Sequence, residues 1–264
     1  MFIPLHDANA LKNIRLQYVT LILIALNIII WVITATPQIT DVSQANAYYY
    51  SYGFVPAVIN DVADLPPDLI VLPETASYVT YAFLHGGFMH LAGNMLFLWV
   101  FGDNVEDAMG HLKYLVFYLV CAAAGAFAHN LTIPNSEAPL IGASGAASGI
   151  VGAYLMLHPK VKVWVLVLGR IPLRLSAMWV LGAWIAFQVY NYVTVESFDV
   201  SWAAHIGGIL AGVLLVPFFK RRDVPLFDRD LPKSGTSVPV TGGIQEKERN
   251  NPVESPHKWG RGSD

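Results

Sequence analysis

The sequence predicts an all-α fold, a polytopic membrane bundle of six transmembrane helices, and three observations carry that expectation. Of its 264 residues, 55% are hydrophobic and 13% charged, with a mean hydropathy of +0.48. Soluble domains carry charge on about a quarter of their residues. Apolar runs of roughly the 20 residues needed to cross a hydrocarbon core of about 30 Å recur at residues 16–35, 88–107, 112–131, 175–193 and 201–219, with a shorter one at 144–157. Finally, the 16 Lys and Arg residues fall in alternate inter-run segments. They cluster at Lys12 and Arg15, at Lys113, at Lys160, Lys162, Arg170 and Arg174, at Lys220, Arg221 and Arg222, and beyond.

The segments between those clusters, residues 36–77, 132–143 and 194–199, hold acidic residues instead, among them Asp41, Asp61, Asp68, Glu74, Glu137 and Asp199. Lys and Arg collect on the cytoplasmic side of a membrane. Six spans with both termini cytoplasmic satisfy that pattern.

Each element follows in order. Residues 1–15 form a short cytoplasmic segment. The first run follows Lys12 and Arg15 as a signal peptide would, but its length and the lack of a convincing small-residue cleavage site predict a retained anchor. In the first outer loop, Tyr48, Tyr49, Tyr50, Tyr52 and Phe54 suit a segment lying at the interface, or plain packing. The second and third runs have full span length, and the third contains Cys121, most simply a core residue.

The fourth run is fenced by Pro139 and Gly142 before it and Pro159 after it, which leaves roughly 21 Å of helix. That is too short to cross alone. The loop before it must reach membrane depth while shielded by other helices, because irregular backbone facing lipid leaves polar groups unpaired. The fifth and sixth runs close the membrane domain at residue 222. Residues 223–264, rich in Pro, Gly, Ser and charge, read as a disordered cytoplasmic tail.

Several function classes fall away. A net charge of -3 without a basic patch gives no footprint for nucleic acid. One cysteine allows neither a disulfide framework nor a CxxC metal site. The absence of an internal repeat weighs against transporters built from duplicated halves. A metal or proton transporter using His85, His90 and His205 lacks carboxylate or cysteine company at those depths. No cofactor or metal is expected.

Polar residues at membrane depth are costly and point to function. Ser144 opens the short fourth helix within Gly142-Ala143-Ser144-Gly145, and His205 lies about one turn into the sixth within Ala204-His205-Ile206-Gly207-Gly208. His90 and Asn94 are spaced i, i+4 on one face near the start of the second. The alternating topology starts all three helices at the outer face, so the four residues share a depth. A helix beginning at Ser144 aims backbone N–H groups and its positive dipole end at a developing oxyanion.

Ser144 is thus the candidate nucleophile and His205 its general base and acid. Asn94, His90 and Gly142 are candidates for oxyanion stabilisation. Gly208 with Gly212, and Gly145 with Gly149 and Gly152, give the sixth and fourth helices small faces for close approach. Taken singly, each motif has a bland reading as a packing turn or helix glue. His85 and His129 are read that way, as structural donors, although His85 is also expected to line the cavity that admits water to His90, Asn94 and Ser144.

The stretch from Tyr78 to Arg222 resembles the rhomboid intramembrane serine proteases. The resemblance rests on His85-Gly-Gly-Phe-Met-His90-Leu-Ala-Gly-Asn94, Phe101-Gly-Asp-Asn-Val-Glu-Asp107, Gly142-Ala-Ser-Gly145 and Ala204-His-Ile-Gly-Gly208 with Gly212. It implies a Ser-His dyad without a third acid, carried by Ser144 and His205 with His90 and Asn94 assisting. It implies cleavage of single-span membrane proteins near the outer face, with the fifth helix and a cap loop gating access, so the partners are substrate transmembrane segments and the lipid bilayer. A catalytically silent relative that binds membrane helices is the alternative. Many members carry an aromatic residue four positions after the serine, stacked on the histidine; here that position is Ser148. The compact chain and plain charge bias suggest a bacterial cytoplasmic membrane, with an organellar inner membrane as the alternative.

Overall fold

The computed structural model describes residues 2–40, 42–167, 169–195 and 200–228. A strand β1 (Phe2–Asp7) precedes the helices α1 (Tyr18–Thr40), α2 (Val42–Tyr52), α3 (Pro56–Ile59) and α4 (Ser77–Thr80). Helix α5 (Phe88–Phe97) runs through a π-helical segment, Leu98–Gly102, into α6 (Asp103–Met109). Then come α7 (His111–Thr132), α8 (Ser144–Leu157), the strands β2 (Lys162–Val167) and β3 (Ile171–Ser176), α9 (Ala177–Thr194) and α10 (Trp202–Phe219).

The chain is mostly helical. Among the described residues, Tyr18–Ala35 of α1, α7 and α10 are long and apolar enough to cross a membrane. The remaining apolar runs also form helices, but each departs from a uniform span. The second is interrupted by the π-helical segment, α8 has 14 residues, and α9 carries Gln188, Asn191 and several tyrosines.

The all-α expectation needs correcting. The strands form an antiparallel sheet in the order β1-β2-β3, so the N-terminal segment pairs with chain some 160 positions away, Ile3 against Leu166. Alternation explains β2: Val163 and Val165 are buried while Lys162 and Trp164 face outward, the period-two pattern of a half-buried strand in β-branched residues. Gly169, at φ +67°, lies in the reversal to β3. The fifth helix consequently begins at Ala177, two residues later than expected.

Acidic residues at the end of α6 fasten the N-terminal segment. Glu106, fully buried, accepts the Val19 and Thr20 N–H groups at 3.0 and 2.8 Å and the Thr20 hydroxyl at 2.7 Å, and lies 2.5 Å from His111 Nδ1. It therefore caps the first turn of α1, where unpaired N–H groups favour an anion. Asp107 Oδ1 accepts the N–H groups of Lys12, Asn13 and Ile14.

Helix α8 is apolar and buried on nearly every side, enclosed by α7 and α10. Glycines permit this. A Cβ at Gly208 would run into the carbonyl of Gly145, one at Gly212 into that of Gly149, and one at Gly152 would come 2.8 Å from the Ile209 carbonyl. The expected small faces of the fourth and sixth helices do meet. Beyond Arg222, Phe227 and Asp228 donate N–H groups to Met156 and Leu157, satisfying carbonyls at the end of α8. Residues 229–264, most of the expected tail, lie outside the described residues.

Candidate active site

The site is built where an irregular stretch, residues 133–143, delivers the chain to Ser144. Its backbone is paired by the segment between α1 and α4. Phe54 and Leu140 form an isolated antiparallel bridge, Ala57 N–H donates to the Ser136 carbonyl at 3.0 Å, and Asn60 Nδ2 donates to the Pro134 carbonyl at 2.9 Å. Polar groups that lipid could not satisfy are thereby satisfied internally. The segment between α1 and α4 thus has a structural task that its tyrosines did not reveal.

Gly142 turns the chain into α8 at φ +119°, a conformation that side chains rarely adopt. A Cβ there would stand 2.5 Å from His90 Nε2. Its own N–H is donated to the Tyr81 carbonyl at 3.0 Å. With that N–H committed to Tyr81, what Gly142 offers the site in this structure is the shape of the turn beside His90. The first N–H groups of α8 have no intrahelical acceptor.

Helix α10 is capped by Ser201, whose hydroxyl accepts the Ala204 N–H at 3.2 Å and lies 2.6 Å from His129 Nδ1. The bland reading of His129 agrees with this: it holds the cap from which the histidine helix starts.

A cavity of about 540 Å³ opens between α5, α8, α9 and α10, lined by Ser144, His205, His90, Asn94, Ser148 and Trp184. The predicted nucleophile, base and two assisting residues therefore face one space. His85 does not line it. It is fully buried behind the wall, with Nε2 3.0 Å from Asn94 Nδ2 and 3.5 Å from the Ala143 N–H. The expectation of His85 as a lining residue is corrected: residues 85–87 lead into α5, whose first turns cover the ring. Its contacts make it a support for Asn94.

With Ser148 small and buried in the wall, the His205 ring is held from α9. Trp184 lies nearly parallel to it, 26° between planes and 6.3 Å between centroids. From the start of its own helix α10, Trp202 also meets it edge-on at 5.8 Å. Gln188 Oε1 is 2.8 Å from His205 Nδ1. Sequence reasoning missed Trp184 and Gln188. Their signal was available, a tryptophan and a glutamine at i, i+4 in an apolar run, but nothing local says which residue they face.

A hydroxyl at a helix start, an imidazole in the same cavity and an amide side chain beside both are the parts of nucleophilic acyl transfer. Among the described residues, no group of three or more His, Cys, Asp or Glu side chains is placed to hold a metal ion.

Comparison with known proteins bears on the same residues. The Rhomboid domain family matches residues 73–222, which contain the whole cavity. The chain is 32% identical over 148 residues to Rhomboid protein 1, mitochondrial, of Saccharomyces cerevisiae, covering 52% of this chain and 40% of that protein. It is 28% identical to Rhomboid-like protein 11, chloroplastic, of Arabidopsis thaliana, over 61% of this chain and 59% of that one. It is 25% identical to Rhomboid protease GlpG of Yersinia pseudotuberculosis, over 52% and 46%. The chain spans about half the length of the curated relatives it matches. With more than half its residues in the family match, and the helical membrane fold around Ser144 and His205 described above, this chain belongs to the rhomboid family.

Proposed function

We propose that this protein is an intramembrane serine endopeptidase that cleaves single-span membrane proteins near the outer membrane face. The observation that carries the reading is the shared cavity of Ser144 and His205, with His90 and Asn94 in its wall. Ser144 Oγ attacks the scissile carbonyl while His205 takes its proton. The oxyanion is met by the free N–H groups at the start of α8 and by Asn94 and His90. His205 returns the proton to the leaving amine, and water admitted by the cavity resolves the acyl-enzyme.

Six membrane-embedded segments, α1, α5 with α6, α7, α8, α9 and α10, fit this reading, with both termini on the Lys- and Arg-rich cytoplasmic side, as in a bacterial inner membrane. The relative named Rhomboid protease GlpG supports the proteolytic assignment. A substrate helix hides its carbonyls in i to i−4 bonds, so the preferred targets carry Gly or Pro near the cut.

The test is cleavage of a fluorogenic single-span substrate in proteoliposomes, wild type against Ser144→Ala at matched folding, with fluorophosphonate labelling alongside. Cleavage and labelling that both vanish with the hydroxyl are expected. A folded wild-type protein that neither cleaves nor labels at Ser144 points to a silent, helix-binding relative instead.

A further inference from the structure

Gln188 is the polar residue of α9 that the dyad leaves unexplained. Its neighbours Phe187, Val189 and Tyr190 are exposed on the helix surface, whereas Gln188 is 2% exposed. An amide in an apolar bundle is costly unless its polar atoms are paired, and here both ends are. Nε2 donates to the Trp184 carbonyl one turn back at 3.2 Å, and Oε1 lies 2.8 Å from His205 Nδ1. The pairing fixes which way the amide points. Turned over, it would set Oε1 against the Trp184 carbonyl, two acceptors facing each other, and Nε2 against the imidazole.

We propose that Gln188 is the third member of the catalytic assembly, a positioning residue that locks His205 in the tautomer with its proton on Nδ1. A neutral imidazole has one donor and one acceptor nitrogen, and the bond made by one decides the role of the other. Because Gln188 Oε1 can only accept, Nδ1 carries the hydrogen, and Nε2 keeps the lone pair that takes the Ser144 proton. The imidazolium then donates from Nδ1 to Gln188 and returns the Nε2 proton to the leaving amine, so no net proton is gained or lost. A neutral amide does this without burying a carboxylate at membrane depth. Trp184, stacked on the same ring, fixes its plane. His90, across the cavity on α5, is the ionisable group that faces His205 from another element.

The inference rests on Ser144 and His205 being nucleophile and base, and its test separates the two claims. Gln188→Leu is expected to lose about 10² in kcat with KM nearly unchanged, and to slow fluorophosphonate labelling of Ser144 in parallel, a part of what general base catalysis contributes. Gln188→Glu, which keeps an acceptor at the cost of a buried carboxylate, is expected to restore part of both. Independently of turnover, the ¹⁵N spectrum of His205, assigned by difference from His205→Ala, should show the Nδ1–H tautomer in wild type and a mixture in Gln188→Leu. Wild-type kcat and labelling in Gln188→Leu, or the same single tautomer in both proteins, overturns the assignment of Gln188. Loss of Ser144 labelling in the wild type counts against the protease reading alone, since the spectrum still reports on the Gln188 contact.

Discussion

Phe54 and Leu140 exchange backbone hydrogen bonds in both directions, 3.0 Å from Phe54 N to the Leu140 carbonyl and 2.8 Å in return. That bridge joins the segment between α1 and α4 to the stretch that enters α8 two residues after Gly142. The fully buried Phe54 ring packs edge-on to Tyr78 and Tyr81, and the Tyr81 carbonyl in turn holds the Gly142 N–H. Phe54→Ala should therefore cost about 3–5 kcal/mol of stability, read by thermal unfolding. It should also slow fluorophosphonate labelling of Ser144 beyond the loss of folded protein. Labelling that simply follows the folded fraction would show that the Phe54 segment does not hold the turn.

Gly208 and Gly182 make a matched pair. A Cβ at Gly208 collides with the Gly145 carbonyl, whereas one at Gly182 meets nothing within 4 Å. Gly208→Ala must push α10 from α8, and a displacement near 1 Å costs about 10²-fold in rate. Gly182→Ala, at a half-buried position of α9 with open space for a methyl group, should instead stabilise the helix by up to about 1 kcal/mol. Cleavage rate and thermal midpoint measured together on both variants check this, and full activity in Gly208→Ala would refute the packing argument.

Asn94→Ala should lower kcat by about 10²–10³, the usual effect of removing one oxyanion donor. Because His85 Nε2 sits 3.0 Å from the Asn94 amide nitrogen, His85→Phe should lower kcat in the same direction while leaving the cavity wall in place. Single-turnover cleavage separates this from altered binding. An inert Asn94→Ala would remove that residue from the site.

Glu106 carries three hydrogen bonds from Val19 and Thr20 as well as the contact with His111, with no exposure to solvent. Deleting the carboxylate strands buried donors at about 1–3 kcal/mol each. Glu106→Ala should therefore be destabilised by at least about 3 kcal/mol, and the N-terminal segment should exchange its amide hydrogens faster.

Asp7, at the end of β1, accepts from Tyr154 Oη at 2.6 Å and Asn104 Nδ2 at 2.9 Å. Burial pushes its carboxyl above the ordinary value of 3.8, against the lowering effect of the Tyr154 bond. The sign follows from the folded state holding its proton more tightly than the unfolded chain. This group's contribution favours folding at low pH and is lost as pH rises from about the unfolded value through the raised folded one. Asp7→Asn should flatten that part of the stability–pH curve, measured by denaturation across mildly acidic pH. A curve unchanged by the substitution would count against a raised Asp7.

How far the sequence could be read depended on whether the signal was local. Apolar runs, the Pro and Gly fences around residues 144–157, and the i, i+4 pair of His90 and Asn94 located the helices and four cavity residues, because periodicity and chain reversal act over a few residues. The glycine faces of α8 and α10 were legible for the same reason: a row of small side chains announces a close approach, even before the partner is known. The sheet was less legible. The alternation in β2 was present, but the edge that β1 fills lies about 160 positions away.

The sequence by itself determined a membrane-embedded helical protein with Ser144 at a helix start and His205 in a small-residue helix, since hydropathy, charge placement and spacing are properties of the chain alone. Tertiary structure alone decided that Trp184 and Gln188 hold the His205 ring in place of Ser148. The same holds for His85, which stands behind Asn94, and for the Gly142 N–H, which is given to Tyr81. The acids of α6 likewise anchor the N-terminal segment only once the chain is folded. Each of these is a pairing between distant residues, and hydrogen bonds and ring contacts at 3–6 Å exist only after packing has brought their helices together.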